Sequence, residues 1–176
     1  MIDNYLISLN ACKDAREWAK GKSWKEVFDT CHRGDWILWL YRMQENFDLR
    51  KFTLAKGHCA NTVRHLMKDE RSINAVDTAI KYGEGKCDRD ELDAATYAAY
   101  AADAAAYSYA AAYAADAAAY VAADAAYAAA AAAYAYAAAD DADDAAYAVR
   151  KQCADICRQY LPFEIWNIKE YQFNLK

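Results

Sequence analysis

The amino-acid sequence predicts an all-α protein: a multi-helix bundle in which an Ala/Tyr/Asp-rich helical segment packs on a Trp-rich N-terminal helical body. The 176 residues include one proline and five glycines, so few positions interrupt a helix. Alanine, the strongest helix former, supplies 35 of the 55 residues over 94–148. This length suggests a single domain, with a helical body over 1–87, Ala/Tyr/Asp-rich helices over 88–148, and a C-terminal helix and tail over 149–176.

The first two predicted helices lie near the N-terminus. Apolar residues recur at three- and four-residue spacing over 3–20, which predicts one amphipathic helix with a single buried face. Gly21 is placed to end this helix, because glycine is common just after a helix C-terminus. Ser23 followed three residues later by Glu26 is the pattern of a capping box, and it predicts a short helix over 24–31.

The next two predicted helices begin at aspartates. We expect Asp35 to be the N-cap of a helix over about 36–44. This helix is apolar nearly all round, which predicts that it is the most buried element. Asp48 is placed to begin a helix that runs to about Met67. Gly57 falls within that range, where it is either tolerated or breaks the helix.

Three more helical regions follow. A fifth helix is predicted over 70–82, and Asp88 with Glu91 forms another capping pattern that opens the Ala-rich segment. Acidic residues suit a helix N-terminus, so the acidic cluster over 140–144 predicts a helix over about 141–160 that Pro162 stops. The inner face of this helix should comprise Cys153, Ile156, Cys157 and Tyr160. The apolar tail that follows should pack back on the body through Phe163, Ile165, Trp166 and Ile168.

The Ala-rich segment is too long for one helix inside a compact chain. A single helix over 88–139 would extend roughly 78 Å, against a diameter of about 40 Å for a globular chain of this size. On a helical wheel the tyrosines fall on two opposite sides, which predicts breaks near 107–110 and 135–141. We prefer two or three Ala-rich helices packed on each other and on the body. A long rod paired in a dimer is the alternative.

Tyrosine and aspartate alternate along one helical stripe of this segment, at spacings of three and four residues. The stripe comprises Tyr113, Asp116, Tyr120, Asp124 and Tyr127. Each carboxylate can accept a hydrogen bond from a phenol one turn away. The stripe either holds an Ala-packed bundle together through Tyr–Asp hydrogen bonds, or faces outward as an acidic binding surface rich in tyrosine. These five residues are the candidate binding residues.

Charge is distributed unevenly along the chain, whose net charge is −5. Residues 93–148 contain eight aspartates and no Lys, Arg, Glu or His, so the remainder holds 21 basic and 18 acidic residues. This acidic segment disfavours nucleic acid as a partner and leaves a basic protein open. We see no signal peptide and no convincing membrane span, so we expect a cytoplasmic protein whose six cysteines are reduced.

No motif of catalysis or metal binding stands out. Cys153 and Cys157 are four residues apart and lack the paired spacing of a zinc site, so we expect buried free thiols. His58 and His65, two turns apart, are expected to be structural. The tripeptide 33–35 reads Arg-Gly-Asp, which we interpret as a loop and helix cap rather than an adhesion motif. We therefore expect no enzyme, no catalytic residue, no metal and no cofactor.

Several segments together resemble the Imm-5-like immunity proteins of bacterial polymorphic toxin systems. The matching pieces are Ala11-Cys12 with Glu17-Trp18, the run CHRGDWILW from Cys31 to Trp39, His58-Cys59-Ala60, and the run from Cys153 to Arg158 ahead of Pro162. The Ala/Tyr/Asp segment lies between them, as it does in that family. The resemblance covers most of the chain and implies an all-helical, non-enzymatic protein that neutralises a cognate toxin by binding it.

The expected function is therefore that of an immunity-like protein that occludes a basic toxin. The alternative is a protein that sequesters a small nucleotide-like signal in a phage–host conflict, an anti-defence role. Tyr and Trp would then stack on the base, and Arg or Lys would meet the phosphates. A third possibility is a structural Ala-rich element that assembles into a homo-oligomer.

Overall fold

Every regular element in the described part of the chain is a helix. The computed structural model describes residues 2–106, 142–166 and 168, and their side chains except those of 100–106 and 142–146. The helices are α1 (Ile2–Ser8), α2 (Lys13–Ala19), α3 (Trp24–Thr30), α4 (Gly34–Arg42), α5 (Leu49–Asn61), α6 (Glu70–Gly83), α7 (Arg89–Ala106) and α8 (Ala142–Tyr160), with 3₁₀ turns at Arg64–Leu66 and Phe163–Ile165. The all-α fold class is confirmed, and the described helices pack on one another as a bundle.

The single helix predicted over 3–20 is wrong, because two helices occupy this range. The chain turns at Asn10, whose φ of 58° lies in the left-handed region that asparagine tolerates better than most residues. The Ala11 amide donates to the carbonyl of Leu6 (2.9 Å), which closes the end of α1. Leu6, Ala11 and Ala19 belong to one buried cluster, so both helices bury the same side and the apolar spacing continues across the turn.

Helix α4 begins earlier than predicted, and Asp35 is not its N-cap. Arg33 occupies the N-cap position without a side-chain capping bond, while Asp35 lies in the first turn. Helix α8 passes directly over Gly34, and this close approach requires a residue without a Cβ atom. A Cβ atom on Gly34 would lie 2.7 Å from the backbone carbonyl carbon of Cys153, closer than real contacts allow. The start of α4 is therefore fixed together with its crossing of α8.

Three other predicted helix starts, at Ser23, Asp48 and Asp88, are confirmed by their hydrogen bonds. The Ser23 hydroxyl accepts from the amide of Glu26 (3.2 Å), and the Glu26 carboxylate accepts from the amide of Ser23 (2.7 Å). Asp48 accepts from two amides at the start of α5. Asp88 and Glu91 exchange backbone-to-carboxylate bonds of 3.0 and 2.9 Å. Polar side chains thus satisfy the free amides at the first turn.

Helix α5 ends at Asn61 rather than near Met67, with Gly57 tolerated inside it. The Thr62 hydroxyl donates to the carbonyl of Cys59 (2.7 Å), satisfying an acceptor at the end of the helix. A separate 3₁₀ turn follows. The helix predicted over 70–82 corresponds to α6, which packs against both α5 and α7.

The main core lies between α4, α5 and α8. It contains Ile37, Leu38 and Tyr41 of α4, Phe52, Ala55 and Cys59 of α5, and Cys153, Ala154 and Cys157 of α8, with Cys31, Val63 and Leu161 beside them. A second cluster joins α1, α2, α3 and the buried tail residue Ile168. The tail also brings Phe163 and Trp166 against Phe28, with ring centroids 5.5 and 5.2 Å apart, as expected. The C-terminal region thus completes both clusters.

The division at 87 and 148 stays a prediction, as do the breaks predicted near 107–110 and 135–141. Both breaks lie outside the described residues, and α8 is helical from Ala142 onward. Helix α7 continues through Ala106, the last residue described before the gap.

Candidate binding surface

The five residues predicted to bind, Tyr113, Asp116, Tyr120, Asp124 and Tyr127, lie outside the described residues. The structure does describe both ends of the Ala/Tyr/Asp segment. One tyrosine side chain is described at each end, Tyr97 before residue 107 and Tyr147 after residue 141. Tyr97 of α7 is 73% exposed and Tyr147 of α8 is 50% exposed. Both tyrosines therefore face outward.

Alanines, not tyrosines, form the contact that α7 makes with its neighbour. Ala95 and Ala99 are buried against Ala75 of α6. Small side chains allow two helix backbones to approach closely, while a tyrosine at the same place would hold them apart. Since Tyr97 lies between these alanines in sequence yet points away from them, the described beginning of the segment buries alanine and exposes tyrosine.

Tyr147 is the exposed member of an aromatic cluster, which we define as Trp18, His32, Trp36 and Tyr147, the other three being half-buried. The Tyr147 ring lies 5.4 Å from that of His32, centroid to centroid. His32 lies 6.2 Å from Trp18 and 6.4 Å from Trp36, and the two indoles are 6.0 Å apart. These separations are within the range of favourable aromatic pairs. The cluster joins α2, α4, α8 and the α3–α4 connection.

Basic groups surround this aromatic cluster. The guanidinium of Arg33 lies 4.8 Å from the Trp36 ring centroid, and the ammonium of Lys22 lies 4.2 Å from that of Trp18. Burial lowers the pKa of His32, and the nearby positive charges of Arg33 and Arg150 lower it further, against the opposing effect of Asp35. His32 is therefore neutral at pH 7 and presents an uncharged ring beside these cations.

Arg33 and Asp35 form a two-bond ion pair at the start of α4. Arg33 Nε donates to Asp35 Oδ1 (2.8 Å) and Arg33 Nη2 donates to Oδ2 (2.5 Å). The hydrogen bonds to Asp35 raise the pKa of Arg33, so this guanidinium stays charged throughout the physiological range. Asp35 thereby fixes the guanidinium over Trp36.

A cavity of about 280 Å³ opens between α4 and the α1–α2 turn. Its lining comprises Asn10, Ala11, Cys12, Ala15, Asp35, Trp36 and Trp39. A smaller apolar cavity of about 40 Å³ shares Ala15, Trp36 and Trp39 with it and extends toward Leu6, Phe28 and Trp166. Trp36 and Trp39 are three residues apart and half-buried, so the two indoles lie on the same side of α4.

The cysteines of α5 and α8 meet in the core. The sulfurs of Cys59 and Cys157 are 3.9 Å apart, and the Cys157 thiol is oriented toward the carbonyl of Gly34 (3.7 Å). Burial raises the pKa of Cys59 well above its ordinary value and raises that of Cys31 to about 11. Such thiols stay protonated and unreactive. The expectation of buried free thiols is confirmed for Cys153 and Cys157.

The two histidines that share a helical spacing do not share a site. His58 stacks on Tyr160 of α8, with centroids 4.5 Å apart and an interplanar angle of 3°. His65 lies in the 3₁₀ turn after α5 and is exposed. His58 therefore contributes to the α5–α8 contact.

The aromatic cluster and the cavity were missed by sequence reasoning. The sequence predicts a loop, a cap and a buried helix over the run from Cys31 to Trp39, whereas Trp36 and Trp39 are half-buried on α4. One signal was present: His32, Arg33, Asp35 and Trp36 place an imidazole, two charges and an indole within five residues. Trp18 and Tyr147 join them only through tertiary packing.

Comparisons with protein-family models, with curated proteins and with solved structures gave no match to this chain. None of the described helices combines the length and the apolar character that crossing a membrane requires. Among the side chains that the structure describes, no three His, Cys, Asp or Glu residues are grouped as a metal site requires. Inferences about function therefore rest on the residues of this chain.

Proposed function

We propose that this protein is a non-enzymatic binding protein that neutralises a basic protein toxin by direct contact, as immunity proteins do. The observation that supports the proposal best is the outward orientation of Tyr97 and Tyr147, which lie near the two ends of the acidic Ala/Tyr/Asp segment. Tyrosine suits an interface because it offers a large, stiff ring with a polar tip. The resemblance to Imm-5-like proteins points in the same direction.

The charge of the segment supports a basic partner. Eight aspartates and no basic residues lie over 93–148. A surface with one sign of charge attracts partners of the opposite sign and speeds their association. The attraction is screened by salt, so binding through this segment should weaken as ionic strength rises.

The test is a binding measurement between this protein and the polypeptide encoded beside it in the genome. The double variant Tyr97→Ala with Tyr147→Ala should bind at least about tenfold more weakly, because exposed tyrosines are common binding hot spots. Raising the salt from 50 to 500 mM should weaken the wild-type complex. The matched control is Ile7→Ala with Met43→Ala, which truncates two exposed apolar side chains elsewhere and should leave affinity unchanged. Equal loss in both double variants would contradict the proposal.

A second candidate function has one observation in its favour. The aromatic cluster of Trp18, His32, Trp36 and Tyr147 combines stacking surfaces with the guanidinium of Arg33, which is what a nucleotide-like ligand needs. A thermal-shift screen with cyclic and ADP-ribose-type nucleotides tests it. Stabilisation by several degrees that is lost in Trp36→Leu would favour sequestration of a small molecule over toxin binding.

A further inference from the structure

We propose that the cavity between α4 and the α1–α2 turn binds a small organic cation of the alkylammonium class, as a free ligand. The site consists of the indoles of Trp36 and Trp39, the carboxylate of Asp35 and the edge formed by Asn10 and Cys12. The proposal is independent of toxin binding, since neither Tyr97 nor Tyr147 lines the cavity.

The chemistry of the lining selects the charge of the ligand. Asp35 is the one residue with a formal charge among the described residues that line the cavity, and it is negative. The face of an indole carries negative electrostatic potential and attracts cations, tryptophan being the best of the aromatic residues for this purpose. A carboxylate and two indole rings together favour a cation over an anion or a neutral molecule.

The protein already binds one cation in this way. Arg33 stacks on the ring of Trp36 at 4.8 Å while its nitrogens donate to both oxygens of Asp35. Each carboxylate oxygen has a second lone pair, so Asp35 can face another positive group. Since Arg33 offsets most of the formal charge, the site suits a weakly hydrated alkylammonium better than a compact, strongly hydrated metal ion.

The size of the cavity limits the ligand to a small one. Its volume of about 280 Å³ is slightly below the usual range for drug-sized ligands, roughly 300–1,000 Å³. The apolar cavity of about 40 Å³ that shares Trp36 and Trp39 offers additional room for a methyl-sized group. A quaternary ammonium, with methyl groups around a diffuse charge, matches both the size and the apolar walls.

Choline and its neutral isostere 3,3-dimethyl-1-butanol are the probes that test the proposal. Titration into the full-length protein at constant ionic strength is followed by the NMR signals of the tryptophan indole N–H groups. We expect choline to shift two indole signals in a saturable way, and the isostere to bind at least about fivefold more weakly, because it lacks the charge that indole faces attract. Equal binding of the two probes, or no saturable shift with choline, would overturn the proposal.

Variants assign the binding to this cavity. Trp39→Leu and Asp35→Asn should each weaken choline binding by at least about threefold, and Asp35→Asn should leave binding of the uncharged isostere nearly unchanged. Asp69→Asn is the matched control, because Asp69 forms the same two-bond pair with Arg71 two residues away, at the start of α6. It should leave choline binding unchanged. An equal effect of Asp69→Asn and Asp35→Asn would place the binding elsewhere and overturn the assignment.

A further arm distinguishes a free cation from a cationic side chain of a partner. If a trimethyl-lysine peptide shifts the indole signals while choline does not, the free-ligand proposal is wrong. Failure of choline binding leaves the toxin-binding measurement untouched, because that measurement depends on Tyr97 and Tyr147. The two proposals can thus fail separately.

Discussion

At the residue scale, Gly34 shows how one missing side chain sets the distance between two helices. A Cβ atom at Gly34 would lie 2.7 Å from the carbonyl carbon of Cys153 and 2.9 Å from the amide nitrogen of Ala154, both backbone atoms that cannot rotate away. Gly34→Ala should therefore lower the free energy of unfolding by about 1–3 kcal/mol, the usual cost of overpacking. Urea denaturation measures it.

Gly21→Ala provides the comparison for this prediction. Gly21 has nothing within 4 Å of an added Cβ, but its φ is +79°, which alanine rarely adopts. We expect a smaller loss of about 1 kcal/mol there, from backbone strain alone. If Gly34→Ala proves as stable as the wild type, the backbones of α4 and α8 are farther apart at Gly34 and Cys153 than this structure places them.

The ring of His58 leads to a pH prediction at the same scale. Burial against α8 lowers the pKa of His58 below its ordinary 6.5, with Glu84 opposing weakly, and the pKa of His32 is also lowered. As the pH falls below about 6.5, the unfolded chain takes up protons before the folded one, so the free energy of unfolding decreases. His58→Phe should reduce the decrease between pH 7 and 5, leaving the part due to His32. Denaturation curves at several pH values measure this slope, and an unchanged slope would contradict the assignment.

At the element scale, Arg158 attaches the end of α3 to α8. Its Nη1 donates to the carbonyls of Phe28 (3.0 Å) and Cys31 (2.8 Å), and its Nη2 donates to Asp155 (2.6 Å). Arg158→Met keeps the apolar stem and removes these bonds, so it should cost about 2 kcal/mol of unfolding free energy. Chemical denaturation of the two proteins gives this difference.

Lys151→Met on the same helix is the matched control. Lys151 also pairs with Asp155, at 3.2 Å, but both side chains are more than half exposed. Exposed pairs of this kind contribute little, so we expect a change within about 0.5 kcal/mol. Similar losses of unfolding free energy for both substitutions would mean that the hydrogen bonds from Arg158 to the carbonyls at the end of α3 do not stabilise the fold.

Helix starts were predictable from the sequence where the capping signal is local. Ser23 with Glu26 and Asp88 with Glu91 form their predicted bonds, because both partners lie within one turn. The turn at Asn10 was not predictable from apolar spacing, since α1 and α2 bury the same side. The start of α4 depends on α8, more than 100 residues later, and no local pattern encodes such a contact.

The candidate site was less predictable than the fold for the same physical reason. Its residues come from separate elements: Trp18 from α2, His32 and Trp36 from the α3–α4 region, and Tyr147 from α8. Their types are visible in the sequence, but their proximity is created by packing. The charge pattern of 93–148, in contrast, is a property of the sequence alone, which is why the expectation of a basic partner could be stated before any contact was known.

At the scale of the whole molecule, the helices before residue 107 cannot complete their core without α8. Cys153, Ala154, Cys157 and Leu161 are fully buried among residues of α4 and α5. A chain truncated after Asp141 would expose the apolar surface of Leu38 and Phe52 that these residues cover. It would therefore lose the stabilising free energy that comes from burying this surface. We therefore expect this truncated chain to show no cooperative thermal transition by calorimetry and little near-ultraviolet circular dichroism.

Truncation after Ile168 is the control for this experiment. That chain keeps α8, Phe163, Trp166 and Ile168, which pack against α3 and the cluster of α1 and α2. It should unfold cooperatively, near the temperature of the full-length protein. A chain ending at Asp141 that still unfolds in one sharp transition would mean that the N-terminal helices form an independent domain. If only the chain ending at Asp141 loses its transition, α4 and α5 need the face of α8 that carries Cys153 and Cys157 in order to fold, and the bundle unfolds as a single cooperative unit.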